Sequence, residues 1–501
     1  MATQPGMRTA GDARSKSGSS SESGPRSGFD IGGTFTDIVV AAPGGELLTY
    51  KILSIPDTIG VEVGKCLQDA LKRLGAGKLA GLVHGTTVGT NALLEGKGAR
   101  AGLLTTQGFR DALELRRLSM AGAHNFFWKR SPPIIERRFR REVPERIDAE
   151  GKAVVPLDRE ATAAALRELK ELGIESLAIC FVNGYLNPAH EAAAAMLARD
   201  ILPGIPLSLS HEVLPAFREY ERTSTTAVNA CLVPVVARYL DALSAELSRF
   251  CPSMQIMQSN GGMMSSAQAR ARPIFTVESG PAAGVLAAAA LTRAAGIERA
   301  VAFDMGGTTV KACLIEEGQA AEKPDLEVGG DANISARWFR GKGYIITVPS
   351  IDIVEAGAGG GSIAAVDASG RLKVGPESAG AVPGPVCYGR GGAQPTITDA
   401  NVVLGYLNPE RIAGGTVPIH RQAAIDALQK DICSRLGLPV LEAAYGIHAV
   451  ANAAMMRTVR AVSTERGRDP RDYTLIAFGG AGPIHAAALA ETVGIGRVCV
   501  P

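Results

Sequence analysis

The chain has 501 residues, 46% of them hydrophobic and 20% charged, with a formal net charge of +2. That length exceeds one ordinary core and sets an expectation of two lobes, while near-neutrality offers neither a basic surface for nucleic acid nor a cationic face for a membrane. Eight cysteines are scattered without a CxxC pair or a Cys/His cluster, so they read as separate reduced thiols of a cytoplasmic protein. No apolar run reaches the roughly 20 residues that cross a bilayer; the Ala-rich stretch after Gly284 meets Arg293 too soon.

Residues 1–27 are rich in Ser, Gly and Arg without periodicity and read as a disordered tail. Order begins at GFDIGGTFTDIVVAAPGGELLTYKILS, residues 28–54, where a short strand runs into Gly32-Gly33. A β-rich run (Thr34 to Val40), a Pro-Gly-Gly turn and a third strand (Leu47 to Leu53) complete a meander. In VHGTTVGTNALLEG a strand ends at His84 and a helix begins, with Thr86 or Thr87 as its N-cap. On these residues alone His84 is a satisfied histidine beside a capped helix. ERRFRREV, residues 136–143, is a basic run without a base-stacking pattern and reads as a solvated surface or a subunit contact, not a nucleic-acid site.

The first hairpin returns at RAVAFDMGGTTVKACLIEEGQ, residues 299–319, where Ala300 to Phe303 lead to Asp304 and the pair Gly306-Gly307. A strand expected over Ile345 to Val354 then leads into Glu355-Ala356-Gly357-Ala358-Gly359-Gly360-Gly361-Ser362, which either wraps a ligand or is a flexible loop. TITDAN, Thr396 to Asn401, reads as a helix start with Asp399 near the cap, and capping is a sufficient account of it. In TLIAFGGAGPIHAAALAETVG, residues 474–494, a buried strand precedes Gly479-Gly480-Ala481-Gly482-Pro483 and a helix whose first turn accepts the proline.

These elements share one chemistry. A Gly-Gly turn has no Cβ to hold a phosphate away from its backbone N–H groups, and the following Thr adds a hydroxyl donor. An aspartate closing the first strand, Asp30 or Asp304, then points into the same space. Two such carboxylates across a cleft suit Mg²⁺, which keeps most of its waters and takes only one or two protein carboxylates beside the phosphates. Glycines ahead of a helix N-terminus admit the rest of a nucleotide. Two DxGGT copies followed by GGxGP are the phosphate and adenosine elements of the actin, Hsp70 and sugar-kinase superfamily, which sets the fold expectation: α/β, with duplicated actin-like lobes around a central nucleotide cleft.

The strings FDIGGTFTDIVV, HGTTVGTNALLE, FREYERTSTTAVNA, ESGPAAG, FDMGGTTVKACLI, PGPVCYGRGG, TITDANVVLG and IAFGGAGPIHAAALA resemble the hydantoinase A family from about Gly28 onward. The resemblance implies an N-terminal family domain over 28–206 and an ATPase domain over 207–501, with the family's further C-terminal region absent. It implies ATP and Mg²⁺ as cofactors, Asp30 and Asp304 on the metal, and Gly32, Gly33, Thr34, Gly306, Gly307, Thr308 and Thr309 on the phosphates. Gly479, Gly480 and Gly482 would approach the nucleoside. HGTT is a hallmark of the family, so the resemblance moves His84 to a cleft position near the acyl substrate. Lys311 either pairs with a phosphate or substrate carbonyl or is a solvated strand residue. The implied activity is phosphorylation of a cyclic amide, of hydantoin or 5-oxoproline type, that allows ring opening with a hydantoinase B-type partner. Alternatives are the ATP-binding subunit of an acetone- or acetophenone-type carboxylase, or a truncated and catalytically silent nucleotide-binding protein. Arg26-Ser27-Gly28-Phe29 make the first strand short and weakly apolar, so its loop is expected to be loosely anchored.

Overall fold

The computed structural model describes residues 24–32, 35–55, 58–117, 129, 131–329, 343–412, 415 and 417–501. Residues 1–23 of the expected tail, and Gly33 and Thr34, lie outside the described residues.

Strand β1 (Arg26–Ile31) is followed by β2 (Phe35–Ala41), β3 (Leu47–Leu53), helix α1 (Ile59–Arg73), β4 (Gly81–Thr86) and helix α2 (Val88–Leu94). In β2 the period of two that suits a half-buried strand puts Thr36, Ile38 and Val40 inward. In α1 Ile59, Val63, Leu67, Ala70 and Leu71 recur at helical spacing and cover the sheet. The expected loose anchoring concerns a loop whose Gly33 and Thr34 lie outside the described residues, but the short strand that leads into it is firmly paired. All six of its residues pair antiparallel with β2 and parallel with β4, so ladder bonds on both sides replace the missing apolar bulk, and Ser27 Oγ donates to Val39 O at 3.0 Å.

Strands β5 (Ala101–Thr106), β6 (Arg140–Val143), β7 (Ser176–Cys180) and β8 (Leu207–Leu209) form a separate parallel sheet in the order β8-β7-β5-β6. The basic run before β6 is not uniformly solvated: Arg140 is buried, with Nε donating to Ile135 O at 2.8 Å. Arg137 and Arg141 pair on the surface with Asp111 and Glu168.

Helix α3 (Glu219–Leu247) has the length and apolarity to cross a bilayer, alone among the described residues, yet nearly every residue from Tyr220 to Val233 is buried inside the protein. It is a core helix between the two sheets, touching β7 and packing on α1 and α2. Strands β9 (Met254–Met257) and β10 (Met263–Ser265) then return to the first sheet, whose order is β10-β9-β4-β1-β2-β3. The first lobe therefore draws on chain on both sides of residue 206.

Helix α4 (Ser279–Ala295) leads into the second lobe: β11 (Arg299–Met305), β12 (Val310–Glu316), β13 (Gln319–Ala320), β14 (Val354–Ala356), helices α5 (Ile397–Val403) and α6 (Val440–Val462), β15 (Thr474–Phe478), helix α7 (Gly482–Val493) and β16 (Arg497–Cys499). Its sheet runs β13-β12-β11-β15-β16, with β14 on β12. Leaving aside the edge strands β10 in the first sheet and β14 in the second, the remaining five strands of each run third, second, first, fourth, fifth in chain order, with the first pairing antiparallel to the second and parallel to the fourth. That repeat is the duplicated actin-like fold. Apolar side chains close both faces of the second sheet, with Phe303 and Leu475 on one side and Ala302 and Ile476 on the other. The single strand expected over Ile345 to Val354 is instead three short pieces. Pro349 has no N–H for a ladder, and the Thr347 N–H is taken by Thr225 Oγ1 at 2.9 Å.

Candidate active site

The two first strands end at one cleft of about 590 Å³. Of the residues marked by sequence, Asp30, Gly32, Asp304, Gly306, Gly307, Thr308, Thr309, Lys311, Gly479 and Gly480 line it. The two turns match in detail: Gly32 N–H donates to Phe35 O at 3.1 Å, and three residues apart again, Gly306 N–H donates to Thr309 O at 3.1 Å. Gly33 and Thr34 lie outside the described residues. Gly482 is not on the cleft; it sits in the first turn of α7, where the site of its missing Cβ lies 3.6 Å from Met305 N and Phe303 O. It lets the helix start pack on the strand below the loop.

Asp30 is a buried carboxyl lining the cleft. Burial, and then the charge of Asp304, push its carboxyl up to about 6. Its Oδ1 is buried without any hydrogen-bond partner. A Cβ on Gly280 would stand 2.6 Å from that oxygen and one on Gly85 2.9 Å, so glycines wall it without supplying a donor. Asp304 is also raised by burial, with the Lys311 ammonium pulling it back. A buried carboxylate oxygen with no donor is what a cation site looks like without its cation. Among the described residues no group of three or more His, Cys, Asp or Glu could enclose a metal.

The glycine run after Glu355 is a wall of this cleft and not a free loop. Gly359, Gly360 and Gly361 donate to Thr308 O, Gly306 O and Gly307 O at 3.2, 2.9 and 2.6 Å, so one loop is zipped to the second phosphate turn along its backbone. A Cβ on Gly359 would stand inside the backbone of Gly307 and Thr308. Thr398 secures the far side, donating both N–H and Oγ1 to Gly360 O at 2.8 Å. Asp399 is a buried cap, as its spacing indicates: it accepts from Thr396 N and Oγ1, and also from Cys387 N at 2.7 Å.

Lys311 is not a solvated strand residue. Its Nζ lies 2.9 Å from Glu355 Oε1 and donates to Thr309 Oγ1 at 2.9 Å. Burial alone would lower its pKa; the Glu355 and Glu278 carboxylates outweigh this and hold it raised. Glu278 lines the same cleft in a left-handed conformation (φ 62°), and burial followed by the Glu355 charge raises its pKa. Sequence reading passed over Glu278 and Asn401, which also faces the cleft. The available signal for Glu278 was a charged side chain directly ahead of the Ser-Gly-Pro start of a helix.

His84 does not occupy a cleft position. It is 0% exposed, stacked on Phe29 with centroids 4.3 Å apart, and its ring nitrogens meet Phe29 O at 3.3 Å and Tyr239 Oη at 2.7 Å. Burial pulls its pKa down to about 4. The pleat is the reason: on β4 its side chain points into the core, and the cleft is lined instead by Thr87, Thr90 and Asn91 downstream.

Two lobes of matching strand order, each closing its first strand with Asp-x-Gly on one shared cleft, define an actin-like ATPase fold. The chain belongs to the hydantoinase/oxoprolinase family: the hydantoinase/oxoprolinase model matches residues 222–501 and the model of its N-terminal region matches 26–202. It is 41% identical over 487 residues to caprolactamase subunit alpha of Pseudomonas jessenii, spanning 95% of this chain and 68% of that one. The solved ATP-dependent caprolactamase of that organism superposes with a TM-score of 0.76 at 38% identity, over 95% of this chain and 68% of that one. The acetophenone carboxylase gamma subunit of Aromatoleum aromaticum is 34% identical over 92% of this chain and 64% of its own length. A nucleotide-free acetone carboxylase structure matches with a TM-score of 0.83 at 28% identity, over 94% of this chain and 68% of that one.

Two predictions follow the geometry. Gly479 has φ 78° and its Cβ would strike the Asp304 carboxylate, whereas Gly480 faces open space. Gly479→Ala is expected to cost about 1–3 kcal/mol in strain and to weaken nucleotide binding at least ~10-fold, with Gly480→Ala close to the parent in thermal melting. Equal melting and equal nucleotide titration for the two variants contradicts this. Second, His84 and His485 are buried with pKa values depressed to about 4 and about 3, so the unfolded chain takes up protons that the folded protein refuses. Their stabilising contribution is complete above the unfolded value of about 6.5 and is lost as pH falls toward the folded values, by about 1.4 kcal/mol per pH unit for each. The raised Asp30 and Glu278 carboxyls act in the opposite sense over this range, so the readout is the difference in urea midpoint between parent and His84→Gln at about pH 7.5 and about pH 5, and parallel pH profiles for the two proteins rule it out.

Proposed function

We propose that the chain is the ATP-binding, phosphoryl-transferring subunit of an ATP-dependent cyclic amidase of the cytoplasm, acting on a lactam or hydantoin ring with a hydantoinase B-type partner. The observation that carries this reading is the pair of equivalent Asp-x-Gly turns on equivalent strands, converging on one cleft with Gly479-Gly480 and a donor-less Asp30 oxygen. The higher identity to a caprolactamase subunit than to a carboxylase subunit supports the amide as acceptor. Eight unpaired cysteines fit a reducing compartment.

A ring amide is resonance-stabilised and water attacks it slowly. In the proposed reaction the amide oxygen attacks the γ-phosphorus of ATP; its new P–O bond forms as the bond to ADP breaks. Water then adds to the activated carbon and the ring C–N bond opens, leaving an acyl phosphate that a second water hydrolyses, so that one ATP and two waters give the ring-opened acid, ADP and phosphate. Mg²⁺, held by Asp30 and Asp304, would supply charge neutralisation at the phosphates. The protein's own part is positioning: the backbone N–H of Gly307 belongs to a turn closed by Gly306 N–H on Thr309 O and fixed by the zipped glycine loop, and Lys311, held by Glu355, offers a buried cation to the transferred group or the substrate oxygen. The carboxylase reading uses the same transfer with a ketone enolate or bicarbonate as acceptor, and the structural match to acetone carboxylase keeps it as the second candidate.

With the B-type partner present, hydantoin, 5-oxoproline or caprolactam is expected to stimulate ADP formation in step with ring opening. Asp304→Asn is expected to lower kcat ~100-fold or more while leaving the melting profile near the parent. ATP use stimulated by ketone and bicarbonate but by no cyclic amide transfers the assignment to the carboxylases; stimulation by neither sinks both.

A further inference from the structure

One part of the cleft wall is built from Asn401 on α5 together with Leu407, Ile412 and Ile484. Asn401 is 1% exposed, and its carboxamide is held from behind by two buried histidines. His448 Nδ1, on α6, lies 2.9 Å from Asn401 Oδ1, and His485 Nε2, on α7, lies 3.2 Å from Asn401 Nδ2. His485 Nδ1 in turn meets Asn452 Oδ1 at 2.7 Å. The two imidazoles stack with centroids 4.4 Å apart and planes 15° apart, and Tyr406 packs edge-on against His448 at 5.1 Å.

The chain of hydrogen bonds has a definite sense. His485 donates through Nδ1 to Asn452 Oδ1, so its Nε2 carries no proton and accepts from Asn401 Nδ2, while His448 donates to Asn401 Oδ1. Reversing both amides leaves the same inventory at Asn401: one N–H and one oxygen lone pair remain unused. His485 must be neutral, since a second proton on it would set N–H against N–H. Burial favours the neutral state in both histidines, pulling His485 down to about 3 and lowering His448. Four polar side chains at the meeting of three helices are costly compared with apolar packing, and what they produce is a carboxamide with a fixed orientation on an otherwise apolar stretch of cleft wall.

We propose that Asn401 is the base-reading residue of the nucleotide site, oriented by His448 and His485, and that it selects a 6-aminopurine over a 6-oxopurine. An asparagine amide pairs in two bonds with the 6-amino group of adenine and the ring nitrogen beside it. A 6-oxopurine presents an oxygen acceptor in place of that amino donor, facing the amide oxygen without a proton between them. Leu407, Ile412 and Ile484 supply the apolar surface beside which a base plane lies. The inference rests on the ATP-binding reading of the cleft and adds its selectivity.

The test uses the full chain and calorimetric titration with ADP and inosine diphosphate in the presence of Mg²⁺, and with pyrophosphate as a probe of the phosphate turns alone. The unaltered protein is expected to bind ADP about 10-fold or more tightly than inosine diphosphate. Asn401→Ala is expected to bring that ratio toward unity with pyrophosphate affinity unchanged, and His485→Ala to reduce it in the same direction. Equal affinity of the unaltered protein for ADP and inosine diphosphate overturns the proposal without any variant. So does an ADP preference that survives in Asn401→Ala. Failure of the unaltered protein to bind either nucleotide overturns the ATP reading itself and this inference with it.

Discussion

The buried Oδ1 of Asp30 is the constraint around which the rest of the cleft is arranged. A carboxylate oxygen without a donor is costly in a folded protein, because the water it loses is replaced by nothing. Two neighbours that could have blunted the cost are glycines: side chains at Gly85 or Gly280 would enter the carboxylate itself. The same holds for Gly479 at Asp304. Glycine is therefore required at 85 and 280 for close approach, and at 479 for close approach and a left-handed backbone together.

The duplication is structural but not electrostatic. Asp30 faces Asp37 across β1 and β2, and Lys51 neutralises Asp37 from the third strand at 2.6 Å. At the equivalent register in the second lobe Asp304 faces Lys311, whose charge is shared with Glu355 and Glu278. One lobe thus presents an uncompensated carboxylate and the other a carboxylate beside a buried cation. Under the proposed phosphoryl transfer this difference would serve a metal-bound phosphate on one side and the attacking oxygen on the other.

Much of this was legible in the sequence. Glycine pairs behind strand-ending aspartates, repeated about 270 residues apart, carried both the two-lobe fold and the two matching turns on its cleft, because spacing within a hairpin is local information. What escaped reading was direction across longer distances. The residue string at HGTT gives no way to see that β4 is central in its sheet, with β1 on one side and β9 on the other, so that His84 is sealed against Phe29 and Tyr239. Gly482 belongs to the same loop as Gly479, yet one faces a strand and the other the cleft. Lys311 was ambiguous for a similar reason: a lysine on a strand is normally solvated, and only Glu355, brought alongside by β14 pairing with β12, makes burial tolerable.

The glycine run of 357–361 shows how a segment that reads as flexible acquires order from outside itself. Its own residues favour no conformation and pay the largest entropy on folding. Order comes from three backbone bonds to the second phosphate turn and two more from Thr398, each end of which is tied down in turn: Thr398 by the Thr396–Asp399 capping box, and that box by the backbone of Val386 and Cys387. The phosphate turn is thus braced through a continuous set of short contacts that ends in the helix carrying Asn401. Residues of the Gly306-Gly307 turn and of the Asn401 wall stand on one continuous support, which under the proposed reading lets the cleft bind both ends of one nucleotide without rearranging between them.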